Sequence, residues 1–258
     1  MKRTSTKVFF DNGRGQKLAG ILDAPAETPL FYGVFGPCFT CPKETHAAAK
    51  TCRALAEAGA AMLRFDVTGV GGSEGNAFDT DFTSRVQDII AAAHYLAAAY
   101  APPKIMIGHS ISGTAALSAV RALPDIQLLA TIGSPSDPAA VIEKFRRNGD
   151  IEETAEGATI NVLGTPHRFG KGFVENMLDQ HVAEDTAALA CKLFVFHAPH
   201  DRIVHVGNAD VIVSRASAAA AAEKIILGEE TTHLFENRND DAVFVAETIM
   251  QWCRLHLA

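Results

Sequence analysis

Lys104-Ile105-Met106-Ile107-Gly108-His109-Ser110-Ile111-Ser112-Gly113 is the stretch on which the rest of the chain turns. A short apolar run meets a glycine, a serine follows two residues later, and Thr114-Ala115-Ala116-Leu117 continues as a helix. Strand, sharp turn and helix with a serine at the apex is the setting of a nucleophile elbow, G-x-S-x-G. The small residues are needed because the serine backbone is strained and larger side chains on either side of it would collide. The fifth position here is Ser112, with Gly113 after it, so the match is imperfect. By itself the stretch is equally compatible with an ordinary strand-to-helix turn in which Ser110 caps the helix.

Working outward, the strands and helices alternate. Residues 7–23 read as a hairpin turning at Asn12-Gly13. Phe31 to Phe35 reads as a buried strand, running through Gly36-Pro37-Cys38-Phe39-Thr40-Cys41-Pro42 into a helix over 43–59. A strand over 60–65 ends in Asp66, and a glycine-rich loop, Gly69 to Gly75, follows it. A helix over 82–99 carries Val86, Ile89, Ile90, Ala93 and Leu96 on one face. After the elbow come a helix over 112–122 and a strand over 126–132. The pattern implies βαβ units and an α/β fold with a mostly parallel central sheet flanked by helices. Active groups in such sheets gather at the carboxyl ends of the strands.

The alternation breaks at Pro138. Residues 138–190 hold a charged helix (Val141 to Arg147), Asn161-Val162-Leu163-Gly164, a mixed segment with Phe169, Phe173 and Met177, and a helix around 183–190. Such an insertion reads as a cap or lid between core strands. Residues 1–137 and 191–258 are then the core. The core resumes with a strand over 192–196, a helix near 206–217, a strand over 224–227 and an amphipathic helix over 241–255.

Composition narrows the function classes. The chain has 258 residues, 48% hydrophobic and 21% charged, which supplies a large core and argues against disorder. The net charge is −7 and no segment concentrates Lys and Arg, so no nucleic-acid partner is expected. No apolar run is long enough for a bilayer, and no apolar h-region follows Met1-Lys2-Arg3-Thr4, so neither a membrane span nor a secretory signal is expected. Five cysteines, an odd number, fit reduced thiols in a cytoplasm better than a disulfide framework.

A serine nucleophile needs a base to take its proton and a buried acid to orient that base. Asp201 follows the strand 192–196, and His233 lies in the loop between the strand 224–227 and the last helix. Ser110, Asp201 and His233 thus stand at three strand ends. Asp137 is a rival acid, since it also follows a core strand, and Asp201 is favoured over it. His109 is expected to point away from the nucleophile, His197 and His200 to be solvated or packed in the loop, and Asp66 to pin its own loop. Two backbone N–H donors are needed for the oxyanion, one from Ile111 and one from the loop after the first parallel strand, where Phe39 is favoured.

Elbow, acid loop and histidine loop together resemble the α/β-hydrolase superfamily over nearly the whole chain, in its order of serine, acid and histidine. Cys38-Phe39-Thr40-Cys41, Arg53 to Gly59, Leu63-Arg64-Phe65-Asp66 with Gly71 to Gly75, and His197-Ala198-Pro199 are similar to a bacterial subgroup. In that subgroup an OsmC-like peroxide-reductase domain often follows the hydrolase. The chain ends where the hydrolase part would, as a stand-alone or truncated member. It departs from the subgroup at Pro37, where His is usual, and at Ser112. The resemblance implies a carboxylesterase-like serine hydrolase acting on a small-molecule ester, with no cofactor and no metal.

Two other readings stand beside it. Cys38-x-x-Cys41 between a strand and a helix is where a thiolate is stabilised, which would suit a thiol-dependent redox protein. The fold could also serve as a non-catalytic binding module. Gly69 to Gly75 is only superficially a nucleotide loop, because Glu74 stands where G-x-G-x-x-G needs glycine.

Overall fold

The computed structural model describes residues 2–162, 164–236 and 239–257. Its main sheet has eight strands: β1 (Arg3–Asp11), β2 (Lys17–Pro25), β3 (Tyr32–Gly36), β4 (Ala61–Phe65), β5 (Ile105–His109), β6 (Leu128–Ile132), β10 (Lys192–His197) and β11 (Ala222–Ile226). Their spatial order is β1-β2-β4-β3-β5-β6-β10-β11. β1 pairs antiparallel with β2, and β2 antiparallel with β4; every later pairing in the sheet is parallel.

The central strands are apolar on both faces, as strands covered by helices on both sides must be. Their side chains alternate between two cores. Met106, Leu129, Leu193 and Val195 enter one core, together with α2 (Phe82–Ala99), α3 (Ile111–Ala119) and α7 (Gly207–Arg215). Ile105, Ile107, Leu128, Ala130, Phe194 and Phe196 enter the other, against α1 (His46–Glu57) and α8 (Asn239–His256). Among the described residues no helix is long and apolar enough to cross a membrane.

Between β6 and β10 lie α4 (Pro138–Asn148), a separate antiparallel sheet of β7 (Ile151–Thr154), β8 (Gly157–Val162) and β9 (Thr165–Gly170), then α5 (Phe173–Leu178) and α6 (Val182–Ala187). The segment between the charged helix and Phe173, in which the sequence reading names no strand, is thus largely sheet. Of the connection Asn161 to Gly164, Leu163 lies outside the described residues.

Candidate active site

β5 delivers Ser110 to the apex of a turn whose backbone is forced open. Ser110 has φ 56° and ψ −129°, a left-handed conformation that a non-glycine residue adopts only under constraint. The constraint is the close approach of the two limbs. A Cβ on Gly108 would come within 2.4 Å of the Gly113 Cα, and one on Gly113 within 1.9 Å of Ser134 Oγ. The required small residues are therefore Gly108 and Gly113. Ser112 turns elsewhere: its hydroxyl accepts a 2.9 Å hydrogen bond from the buried Arg85. That is the physical reason the fifth elbow position tolerates a side chain.

At the ends of β10 and β11, Asp201 and His233 meet directly. Asp201 Oδ2 lies 2.6 Å from His233 Nδ1. The other carboxylate oxygen accepts the backbone N–H groups of Ile203 and Val204 at 2.8 and 2.9 Å. Burial by itself would push the Asp201 carboxyl up; the hydrogen bond and charge of His233, with the two backbone donors, hold it below the ordinary value. His233 is 9% exposed and Ser110 7% exposed, so solvent barely reaches either. Among the described residues no hydrogen bond joins the Ser110 hydroxyl to the His233 ring. Such bonds commonly tighten only once substrate is bound.

Two further histidines brace these loops. The His109 ring lies against His233, its centre 5.1 Å from that ring, and its Nε2–H donates to the His233 carbonyl at 2.8 Å. His197 Nε2–H donates to the Val204 carbonyl at 2.9 Å, closing the turn that carries Asp201. Both rings are fully buried. Burial, reinforced by the charge of His233, pushes His109 down to about 3; burial likewise lowers His197. His197 is thus loop packing, whereas His200 is exposed beside Glu229.

The loop after β3 holds Phe39. Among the described residues neither the Phe39 N–H nor the Ile111 N–H has a protein acceptor, so both donors are free. Cys38 and Cys41 are joined as a disulfide, and Cys52, Cys191 and Cys253 are free and buried. This corrects the expectation of reduced thiols throughout: a tight turn brings the Cα atoms of Cys38 and Cys41 to 5.2 Å, within bridging distance. The Phe39 ring stands 5.2 Å from Phe169 and 6.4 Å from Phe173, so residues of β9 and α5 lie against the loop. Phe169, Phe173 and Met177 are themselves buried rather than lining an open pocket, while Arg168 and Lys171 are exposed.

The rivals have other occupations. Asp137 caps α4, accepting from Ala139 N at 2.9 Å. Asp66 accepts from Lys43 N, Lys43 Nζ and Gly72 N. It thereby pins the glycine loop: a Cβ on Gly71 would come within 2.3 Å of its carboxylate. The loop's own N–H groups are spent, Gly69 on the Glu74 carbonyl, Gly72 on Asp66, Ser73 on the Val70 carbonyl and Glu74 on the Lys17 carbonyl, which argues against a phosphate cradle. Among the described residues no group of His, Cys, Asp and Glu is placed to hold a metal ion. What the sequence reading missed is Arg85. The available signal was its position: it falls with Phe82, Ile89 and Leu96 on the buried stripe of α2.

The family model described as serine aminopeptidase, S33, matches residues 43–148. The esterase domain of a Rhodothermus marinus protein is 34% identical, superposes with a TM-score of 0.79, and the match covers 100% of both chains. Est1E from Butyrivibrio proteoclasticus, in a structure with ferulic acid bound, shares 19% identity at a TM-score of 0.77 over 97% of this chain and 99% of that one, a likeness of fold alone. Human mitochondrial palmitoyl-protein thioesterase ABHD10 is 24% identical over 202 residues, 75% of this chain; the match spans 63% of the human protein's length. The mostly parallel sheet, the strained serine turn and the full-length match to the Rhodothermus marinus esterase domain carry one conclusion: the chain is a hydrolase of the α/β-hydrolase superfamily.

Proposed function

We propose that this protein is a serine hydrolase that cleaves a carboxylic ester of a small molecule through an acyl-enzyme. The observation that carries the reading is the 2.6 Å Asp201–His233 bond, set beside Gly133 at the end of β6, the strand next to the one that bears Ser110. In this reading His233 Nε2 takes the Ser110 proton as Oγ attacks the acyl carbon. Asp201 holds His233 with its proton on Nδ1 and stabilises the imidazolium. The N–H groups of Phe39 and Ile111 hold the oxyanion. Collapse expels the alcohol, which takes the proton from His233 and leaves an acyl ester on Ser110. Water repeats the sequence and releases the acid.

Residues 138–190 act as the cap over this site, with Phe169 and Phe173 against Phe39 on the oxyanion loop. A thioester is the second reading, favoured by the likeness to the human palmitoyl-protein thioesterase. The chemistry at Ser110 is the same; only the leaving group differs.

The test is labelling with a fluorophosphonate probe. Folded wild type should be labelled and Ser110→Ala should not. A folded wild type that stays unlabelled ends the serine-hydrolase reading, and labelling that persists in the alanine variant moves the nucleophile elsewhere. Turnover of p-nitrophenyl esters of rising chain length, set beside an S-palmitoyl thioester, then separates the two substrate readings.

A further inference from the structure

Arg85 sits in the first turns of α2, just past the cap in which Asp81 Oδ1 accepts the Ser84 N–H. It is 9% exposed. Among the described residues no carboxylate forms an ion pair with it: its neighbour Asp88 is taken by Arg14. A buried cation without an ion pair is expensive, so its hydrogen bonds must offset the cost of burying it. Its donors go instead to one loop and one turn. Nη2 donates to the Phe39 carbonyl, and Nη1 to Ser112 Oγ at 2.9 Å and to the Pro37 carbonyl at 3.5 Å. The guanidinium carbon also stands 5.9 Å from the centre of the Phe39 ring.

The consequence follows from the planarity of the peptide. In a trans peptide the carbonyl of one residue and the N–H of the next point in opposite directions. Holding the Pro37 and Phe39 carbonyls fixes the two peptide planes on either side of the Cys38–Phe39 plane. The carbonyl of that middle plane accepts from Cys41 N at 3.4 Å, so the Phe39 N–H is aimed away from the loop's own interior. The same guanidinium grips Ser112, two residues from Ser110. It therefore sets the distance between the two peptide segments that carry the Phe39 and Ile111 donors.

We propose that Arg85 is the positioning residue of the oxyanion hole, clamping the loop 37–39 to the serine turn through Ser112. The inference rests on the serine-hydrolase reading of Ser110. Only a planar fork of donors serves all three acceptors at once, so lysine is not a substitute. Because the donors it places act on the tetrahedral state, the defect belongs in turnover and not in substrate binding.

The experiment compares wild type with Arg85→Met, Arg85→Lys and Ser112→Ala, using a short-chain p-nitrophenyl ester and a trifluoromethyl ketone that forms a tetrahedral adduct. For Arg85→Met, kcat should fall on the order of 100-fold with KM little changed, and the ketone should weaken in parallel. Arg85→Lys should stay near the methionine variant, and guanidinium ion well below denaturing concentrations should restore part of kcat in Arg85→Met alone. Ser112→Ala, which keeps the buried cation and serves if Arg85→Met does not fold, should lose about tenfold in kcat. Unchanged kcat in folded Arg85→Met or in Ser112→Ala overturns the inference, as does a rise confined to KM. A wild type that turns over the ester and is labelled at Ser110 leaves the hydrolase reading standing in those cases. A folded wild type that does neither removes both.

Discussion

The residue that precedes the candidate nucleophile holds the backbone of the candidate base: His109 Nε2–H donates to the His233 carbonyl at 2.8 Å. This fixes the tautomer of His109, and its Nδ1 then faces no partner among the described residues. Protonating Nδ1 would bury a charged N–H with nothing to accept it, which is why burial takes His109 down to about 3.

That depression has a sign in stability. Below the ordinary histidine value the unfolded chain binds a proton at His109 that the folded chain refuses. Stability is therefore complete above about pH 6.5 and declines as pH falls toward about 3, by ~1.4 kcal/mol per pH unit from this group. His109→Gln removes the titration. Between about pH 7 and about pH 4.5, wild type should lose ~2–3 kcal/mol more than the variant, read from urea midpoints. Equal losses would show that His109 is not held neutral.

Asp201→Asn should lower turnover on the order of 10⁴-fold, because asparagine leaves His233 in the wrong tautomer. Asp137→Asn keeps an N-cap for α4 and should be close to neutral in stability and turnover. The comparison needs only kcat/KM on one ester. A collapse in the Asp137 variant with Asp201→Asn near wild type would reverse the assignment of the acid.

The core and the strand-end residues were legible because they obey strong local rules. Short apolar runs bounded by turn residues, such as Ile105 to Ile107 before Gly108, fit buried strands, and the order of strands and helices then places Ser110, Asp201 and His233 beyond the carboxyl ends of strands of one sheet. The second sheet was not legible. β7 reads Ile-Glu-Glu-Thr, β9 contains Pro166, and most residues of both are exposed or half-buried, so neither shows the apolar alternation that marks a strand. Counting cysteines failed at Cys38 and Cys41 for a similar reason. Parity describes a framework of distant bridges, whereas a turn can close a bridge across three residues. Arg85 escaped because a charge in an amphipathic helix is read as solvated, and only its register with Phe82 and Ile89 says otherwise.

The elbow's steric demand is testable apart from its chemistry. Gly113→Ala would set its Cβ 1.9 Å from Ser134 Oγ and 2.8 Å from the Gly108 carbonyl. The hydroxyl can rotate aside; the carbonyl moves only if β5 and α3 separate. A loss of at least ~1–3 kcal/mol in denaturant unfolding is expected. If Gly113→Ala matched wild type, the close approach of Gly108 and Gly113 would not be what bends the turn.

The disulfide beside the proposed oxyanion loop should matter little for the proposed ester turnover. The loop is already held at both ends: by Arg85 on the Pro37 and Phe39 carbonyls, and by Lys43, whose N–H and ammonium bind Asp66 while its carbonyl accepts from Arg64. A bridge between Cys38 and Cys41 closes so short a loop that its entropic contribution is only about 2 kcal/mol. Alkylation of denatured, unreduced protein should modify the three free cysteines, Cys52, Cys191 and Cys253, and leave Cys38 and Cys41 untouched. Cys41→Ser should then unfold at slightly lower denaturant while keeping kcat within about threefold, because the carbonyl contacts that aim the Phe39 N–H survive. A loss on the order of 100-fold would mean that the bridge, and not the clamp, sets the oxyanion geometry. A peroxide- or disulfide-reducing activity that disappears in Cys41→Ser, with ester turnover absent in wild type, would instead establish the thiol chemistry as the function of this loop.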